Sequence, residues 1–129
     1  MADRPVTDLR KGSDIAERLL DLAAALVVVI RQLARDPVSR HIAGQLIRCG
    51  TSAGANYEEA RAAESRADFV HKVRIASKEL RETLFWLRLA HRTCFDERHR
   101  ELERLIGESR ELLAILHKSA ETARANDRD

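Results

Sequence analysis

The chain has 129 residues, 44% of them hydrophobic but only 4% aromatic, which is material for one domain with an aliphatic core. Charged residues make up 34%, above the roughly 25% of ordinary domains, and suit long helices with charged outer faces. The 23 basic and 21 acidic residues nearly cancel to a net charge of +2, so the placement of charge, not its total, has to carry any argument about partners.

The first helix is expected over residues 14–35. Ile15, Leu19, Leu22, Leu26, Val29 and Leu33 recur at steps of four and three, which is one stripe of a helix. Ser13 is placed to cap it, with Asp14 and Glu17 near the positive end of the helix dipole. Asp36-Pro37 ends this segment and opens the second helix, 37–62. Asp caps well, and Pro loses nothing at a first helical position whose N–H is unpaired anyway. The second stripe, Ile42, Leu46, Cys49, Ala53, Asn56 and Ala60, is built largely of small residues, with Gly50 and Gly54 beside it. A mid-helix glycine costs about 1 kcal/mol against Ala, which a close approach by another helix or subunit offsets. Asn56 on an apolar stripe is expected to satisfy its amide within the protein.

Ser65 and Asp68 form a variant of the capping box at the start of the third helix, 66–92. Its inward stripe is Phe69, Val73, Ala76, Leu80, Thr83 and Leu87. After Thr93 to Phe95, Asp96 is expected to cap a fourth helix, 97–124. Leu102, Leu105, Ser109, Leu112 and Leu116 line it, widened by Ile106, Leu113 and Ala120, and Ala125 to Asp129 are expected to fray. Four long amphipathic helices with short connections predict an all-α, antiparallel up-down four-helix bundle filling one domain, 1–129.

Leu22 to Ile30 is apolar all the way round. The stripe uses Leu22, Leu26 and Val29, leaving Ala24, Val27 and Val28 to face elsewhere. In so short a chain a second buried face points to a subunit interface; wide neighbouring helices are the plain alternative. The same run is far short of the roughly 20 residues of a membrane span. Met1 to Gly12 is polar and charged, unlike a secretory signal, and Cys49 and Cys94 are isolated thiols, so a reducing cytoplasm is the expected location.

The segment IRCGTSAGANYEEA at 47–60, then Ser65, Asp68-Phe69 and IASKELRET at 75–83, resembles the four-helix-bundle proteins encoded in intervening sequences of bacterial 23S rRNA genes. These are also called S23 ribosomal proteins, and they are similar in structure to the accessory protein of diversity-generating retroelements, which assists a reverse transcriptase. The resemblance is strongest over Arg48 to Leu87, and its specific part is the run Thr51 to Asn56, then Glu59, Ser65 and Asp68-Phe69. It departs from the family at Tyr57, where an aliphatic residue is usual, and at Cys49-Gly50. The resemblance implies a bundle that assembles into a ring, typically a homopentamer, with no catalytic residues and with nucleic-acid or protein binding as its role.

The candidate sites narrow quickly. A di-iron bundle needs inward carboxylates and paired Glu-x-x-His motifs; the nearest matches, Asp68 with His71 and Asp96 with His99, sit at expected helix starts, where the acids serve as caps. Cys49 and Cys94 have no zinc spacing. Glu58, Glu59 and Glu64 around Arg61 read as an exposed helix end with local ion pairs, and nothing marks a nucleophile with its base. No metal, cofactor, small-molecule substrate or catalytic activity is expected.

The third helix carries the sharper signal. Residues 65–95 hold seven basic residues against three acidic ones, Asp68, Glu79 and Glu82. Arg74, Lys78, Arg81, Arg88 and Arg92 fall within roughly 80° of one another at 100° per residue, opposite the apolar stripe, with His71 and Phe85 on the same face. A solvated helix face is the ordinary fate of such charge. A one-sided basic stripe is also the electrostatic footprint of nucleic-acid binding. The leading expectation is a non-enzymatic homo-oligomeric scaffold, pentameric by resemblance, holding RNA, DNA or a reverse-transcriptase-like protein. The alternative is a protein-binding adaptor without nucleic-acid contact, its stripe facing an acidic partner or a neighbour's fourth helix.

Overall fold

A computed structural model describes residues 12–33, 35–95 and 99–127. Those residues form four helices and no strand: α1 Ser13–Leu33, α2 Pro37–Arg61, α3 Arg66–Thr93 and α4 Arg100–Asp127. α2 and α3 share the largest contact, followed by α3 with α4 and α1 with α2, and α1 with α4 is the smallest of these four main contacts.

The helix ends follow from caps. At α1 the cap is not Ser13 but the residue before it. Ala16 N–H donates to the Gly12 carbonyl at 2.9 Å, and Gly12 turns the chain at φ +82°, where a side chain would be strained. α1 stops at Leu33 rather than 35, the Arg35 N–H turning back to the Leu33 carbonyl. Asp36 caps α2 by accepting from the Ser39 N–H at 3.0 Å and from its hydroxyl at 2.9 Å. These bonds hold its carboxyl below the usual carboxylate range. Ser65 caps α3 by accepting from the Asp68 N–H at 3.0 Å. The expected cap Asp96 lies outside the described residues, and α4 begins at Arg100 rather than 97. The segment expected to fray at the end is helical to Asp127.

The core is the aliphatic one expected. Leu19, Leu26, Leu46, Leu80, Leu87, Leu102, Leu105, Leu112 and Leu116 are all at most 1% exposed. Three stripe positions differ: Ile15, Asn56 and Phe69 are half-buried, and their chain neighbours Ala16, Tyr57 and Val70 are the buried ones. Tyr57, not Asn56, completes the buried face of α2, because its ring packs inward while its larger body bridges to the start of α1 at Gly12. Asn56 is half-buried, and its amide donates to the Ser52 carbonyl at 2.9 Å and hydroxyl at 3.0 Å, a satisfied structural amide.

The small residues of α2 let α1 come close. A Cβ built on Gly50 would stand 2.5 Å from Leu26 Cδ1, and one on Gly54 would stand 3.4 Å from Leu19 Cβ, with the Leu19 backbone at 3.8 Å. The two glycines therefore predict different outcomes. Gly54→Ala fits in ordinary contact and gains up to about 1 kcal/mol of helix propensity. Gly50→Ala forces the buried Leu26 aside, offsetting that gain, and Gly54→Leu loses about 1–3 kcal/mol by overpacking against α1. Urea denaturation of the three variants checks the order Gly54→Ala, Gly50→Ala, Gly54→Leu, most stable first; an unchanged Gly54→Leu would put that position in open solvent.

Ion pairs tie the helices at defined heights. Arg18 of α1 grips Glu108 of α4 through Nε at 3.0 Å and Nη2 at 2.7 Å, and reaches Glu111 at 3.2 Å. Lys72 of α3 meets Glu59 of α2 at 3.0 Å, Ser39 of α2 lies beside Cys94, and Arg66 of α3 donates to the Asn126 carbonyl of α4. The hydrogen bonds from Arg18 depress the Glu108 carboxyl below its ordinary value. A depressed carboxyl contributes stability that is present above its unfolded pKa and lost as pH falls through its folded one. Glu108→Gln should therefore lower stability by about 0.5–1 kcal/mol at neutral pH, as for a half-exposed pair. The gap to the parent should close in acid, below the ordinary carboxylate range; melting curves from pH 7 to 3 read it directly, and a constant gap would refute the pairing.

Candidate nucleic-acid interface

Arg74, Lys78, Arg81, Arg88 and Arg92 are all exposed on the outer face of α3, opposite Val73, Ala76, Leu80, Thr83 and Leu87, which are fully buried. Core burial sets this orientation: the apolar stripe turns inward, and the helical period carries the cations out. None of the five is in an ion pair among the described residues.

The acids of α3 within the span of the stripe are committed elsewhere. Glu79 and Glu82 both pair with Arg48 of α2, Glu79 at 3.2 Å. Asp68 sits at the helix start, its N–H held by Ser65. Lys72, a cation of α3 off the stripe, is the one that pairs across to α2. Charge is thus sorted around α3: the flank toward α2 is paired, and the outer face is left positive.

Two further features border the stripe. Phe85, 56% exposed, lies on it between Arg81 and Arg88. Its ring meets Trp86 edgewise, centroids 5.1 Å apart and planes at 82°, and Trp86 meets His41 of α2 at 5.6 Å and 78°. On the other side, an open cleft of about 330 Å³ between α3 and α4 is lined by Arg88, His91, Arg92, Glu103, Ile106 and Arg110. Nε2 of His91 is buried with no hydrogen-bond partner among the described residues. Arg110 adds a cation from a second helix. Sequence periodicity passes over it, because a cleft between helices leaves no mark within either one.

A family model for the 23S rRNA-intervening sequence protein matches residues 11–118, most of the length of the chain. The chain belongs to that family. The solved structure of a protein of unknown function from the S23 ribosomal protein family of Bacteroides thetaiotaomicron VPI-5482 is similar to it, at 34% identity and a TM-score of 0.73. That similarity covers 82% of this chain and 97% of the other. No curated protein matches the chain.

Other candidate positions fall as follows. Ala24 and Val28 are exposed and Val27 is half-buried. The apolar run Leu22 to Ile30 is therefore buried mainly on one side within the chain, the side on which α2 and α4 pack. Leu20, 61% exposed and one turn before Ala24, extends the uncovered row; its spacing of four from Ala24 was the signal for it. The Cys49 thiol donates to the Gln45 carbonyl, and burial pushes its pKa up, the setting of a structural thiol. Arg61 pairs with Glu58 at 2.7 Å, a local pair at a helix end. Among the described residues, no helix is long and apolar enough to cross a membrane, and no group of three metal-ligating side chains converges.

Proposed function

We propose that this chain is a non-enzymatic scaffold: an antiparallel up-down bundle that assembles into a homopentameric ring and holds a nucleic acid, or an enzyme acting on one, against the outer face of α3. The observation that carries this reading is the basic stripe, unpaired among the described residues, whose nearby acids Glu79 and Glu82 are drawn away to Arg48. A solvated surface gains by interspersing its charges and pairing some of them; a phosphate backbone needs them bare and aligned.

The antiparallel order is supported by contacts whose numbers rise along one helix as they fall along the next. Leu26 lies by Gly50 and Leu19 by Gly54, and Arg48 lies by Glu79 while Lys72 lies by Glu59. Assembly is supported by the uncovered row Leu20, Ala24 and Val28. The number five comes from the resemblance of the Thr51 to Phe69 stretch to ring-forming proteins. In a ring each subunit repeats the stripe, and several weak contacts act together.

The test is twofold. Light scattering on the eluting protein should give five times the 14.6 kDa chain mass. Fluorescence anisotropy with labelled RNA and DNA over a salt series should show binding that weakens steeply as salt rises. Absence of binding at low salt, together with capture of an acidic protein from the native host, would replace this reading with the adaptor.

A further inference from the structure

Phe85 is the apolar exception on a cationic face. A phenylalanine ring at 56% exposure forgoes much of the stabilisation that burial would give it. Arg81 stands one turn before it and Arg88 one turn after, on the same side of α3, so the ring lies between two guanidinium groups with no carboxylate partner among the described residues. The edgewise contact with Trp86, itself set against His41 of α2, braces the ring on two helices.

We propose that the stripe takes single-stranded nucleic acid, with Phe85 as the platform on which a base stacks while Arg81 and Arg88 hold the flanking phosphates. The proposal rests on the nucleic-acid reading above and adds the class of ligand. A duplex offers a convex helix face only its backbone and groove edges, because its base faces are covered by stacking. An exposed aromatic ring is useful only where a base face is open, as in a single strand. A second copy of the same face is a poor occupant, since it would set the five cations against their own counterparts. An acidic protein would satisfy the cations but set its carboxylates around the apolar ring. A strand of bases and phosphates alternates the two chemistries as the stripe does.

From Arg74 to Arg92 the stripe runs roughly 27 Å at 1.5 Å per residue. That matches roughly eight nucleotides of a stacked strand at 3.4 Å each, so probes of about 12 nucleotides cover it.

The experiment measures anisotropy of labelled oligouridine, oligothymidine and a mixed-sequence duplex with the full-length parent protein, Phe85→Ala and Phe85→Tyr. Stacking predicts that the parent prefers the single strands. Phe85→Ala should weaken them by about 5- to 100-fold, the usual cost of one lost base–aromatic stack. It should leave the duplex affinity and the salt slope unchanged, and Phe85→Tyr should restore binding. Preference for oligouridine over oligothymidine would make the strand RNA, and equal affinity would make it either. If the parent binds duplex as tightly as single strands, or Phe85→Ala binds single strands normally, stacking is overturned while the nucleic-acid reading stands. If nothing binds and Phe85→Ala instead breaks the assembly in light scattering, Phe85 is an interface residue and both readings fall.

Discussion

Replacing Arg74, Lys78 and Arg81 together with Ala is expected to flatten the log–log salt dependence of nucleic-acid binding by about 2 to 3, from about 0.7–0.9 per lost phosphate contact. At low salt, where such contacts dominate, the affinity should drop by on the order of tenfold or more. The three side chains are exposed and take no part in an ion pair or cap among the described residues. Their removal should therefore cost about 0.5 kcal/mol or less each, and circular dichroism should show the helices intact. Because no element on this face is placed to read base edges, the loss should be similar across sequences. A folded triple variant that keeps the parent's salt slope would mean that the stripe does not touch phosphate. Arg110→Ala, on the far wall of the cleft beside Arg88 and Arg92, extends the same test to α4. A further fall in slope would carry the contact surface across to that helix, and no change would confine it to α3.

Val28→Glu should break the assembly without unfolding the chain. Val28 is 56% exposed in the isolated fold, so a glutamate there keeps its water and the monomer tolerates it. In an interface the same carboxylate would be buried without a partner, at about 3–5 kcal/mol, enough to shift a micromolar equilibrium to smaller species. Light scattering reads the change, and Val28→Ser, smaller and uncharged, should weaken assembly far less. A parent protein that runs as a monomer at micromolar concentration would refute the ring. A pentamer indifferent to Val28→Glu would move the interface off α1.

The two variants also separate the two halves of the proposal. A monomeric Val28→Glu that still binds nucleic acid, more weakly but with the same preference for strand type, would show that the stripe acts within one chain and that the ring multiplies it. An oligomeric triple-alanine variant that binds nothing would show the converse, a scaffold intact without its contact surface.

Helical period and capping chemistry are local properties, and they are legible in the order of residues. Steps of three and four place Leu19, Leu22, Leu26, Val29 and Leu33 on one face of α1, and all five are buried. The same arithmetic turns Arg74, Lys78, Arg81, Arg88 and Arg92 to the opposite face from Val73 and Leu80, and all five are exposed. Asp36 and Ser65 cap as their positions promise because a cap needs only a side chain three residues from an open N–H. The resemblance to the family was likewise legible in a short ordered run, Thr51 to Asn56 with Glu59, Ser65 and Asp68-Phe69 after it, while membership rests on the match over residues 11–118.

Distances between helices are another matter, because they are sums over packing that no single segment contains. That Glu79 and Glu82 turn to Arg48, 31 and 34 residues away in the chain, keeps both off the stripe of α3, and a count of charges along α3 cannot show it. That Tyr57 rather than its neighbour Asn56 enters the core, its ring reaching Gly12 before a different helix, is not decided by spacing, since both positions fit steps of three and four. The closeness of Leu26 to Gly50, the clasp of Arg18 on Glu108, and the meeting of Arg88 and Arg92 with Arg110 across a cleft are all settled by how side-chain volumes fill the core, which fixes the height and rotation of each helix against the next.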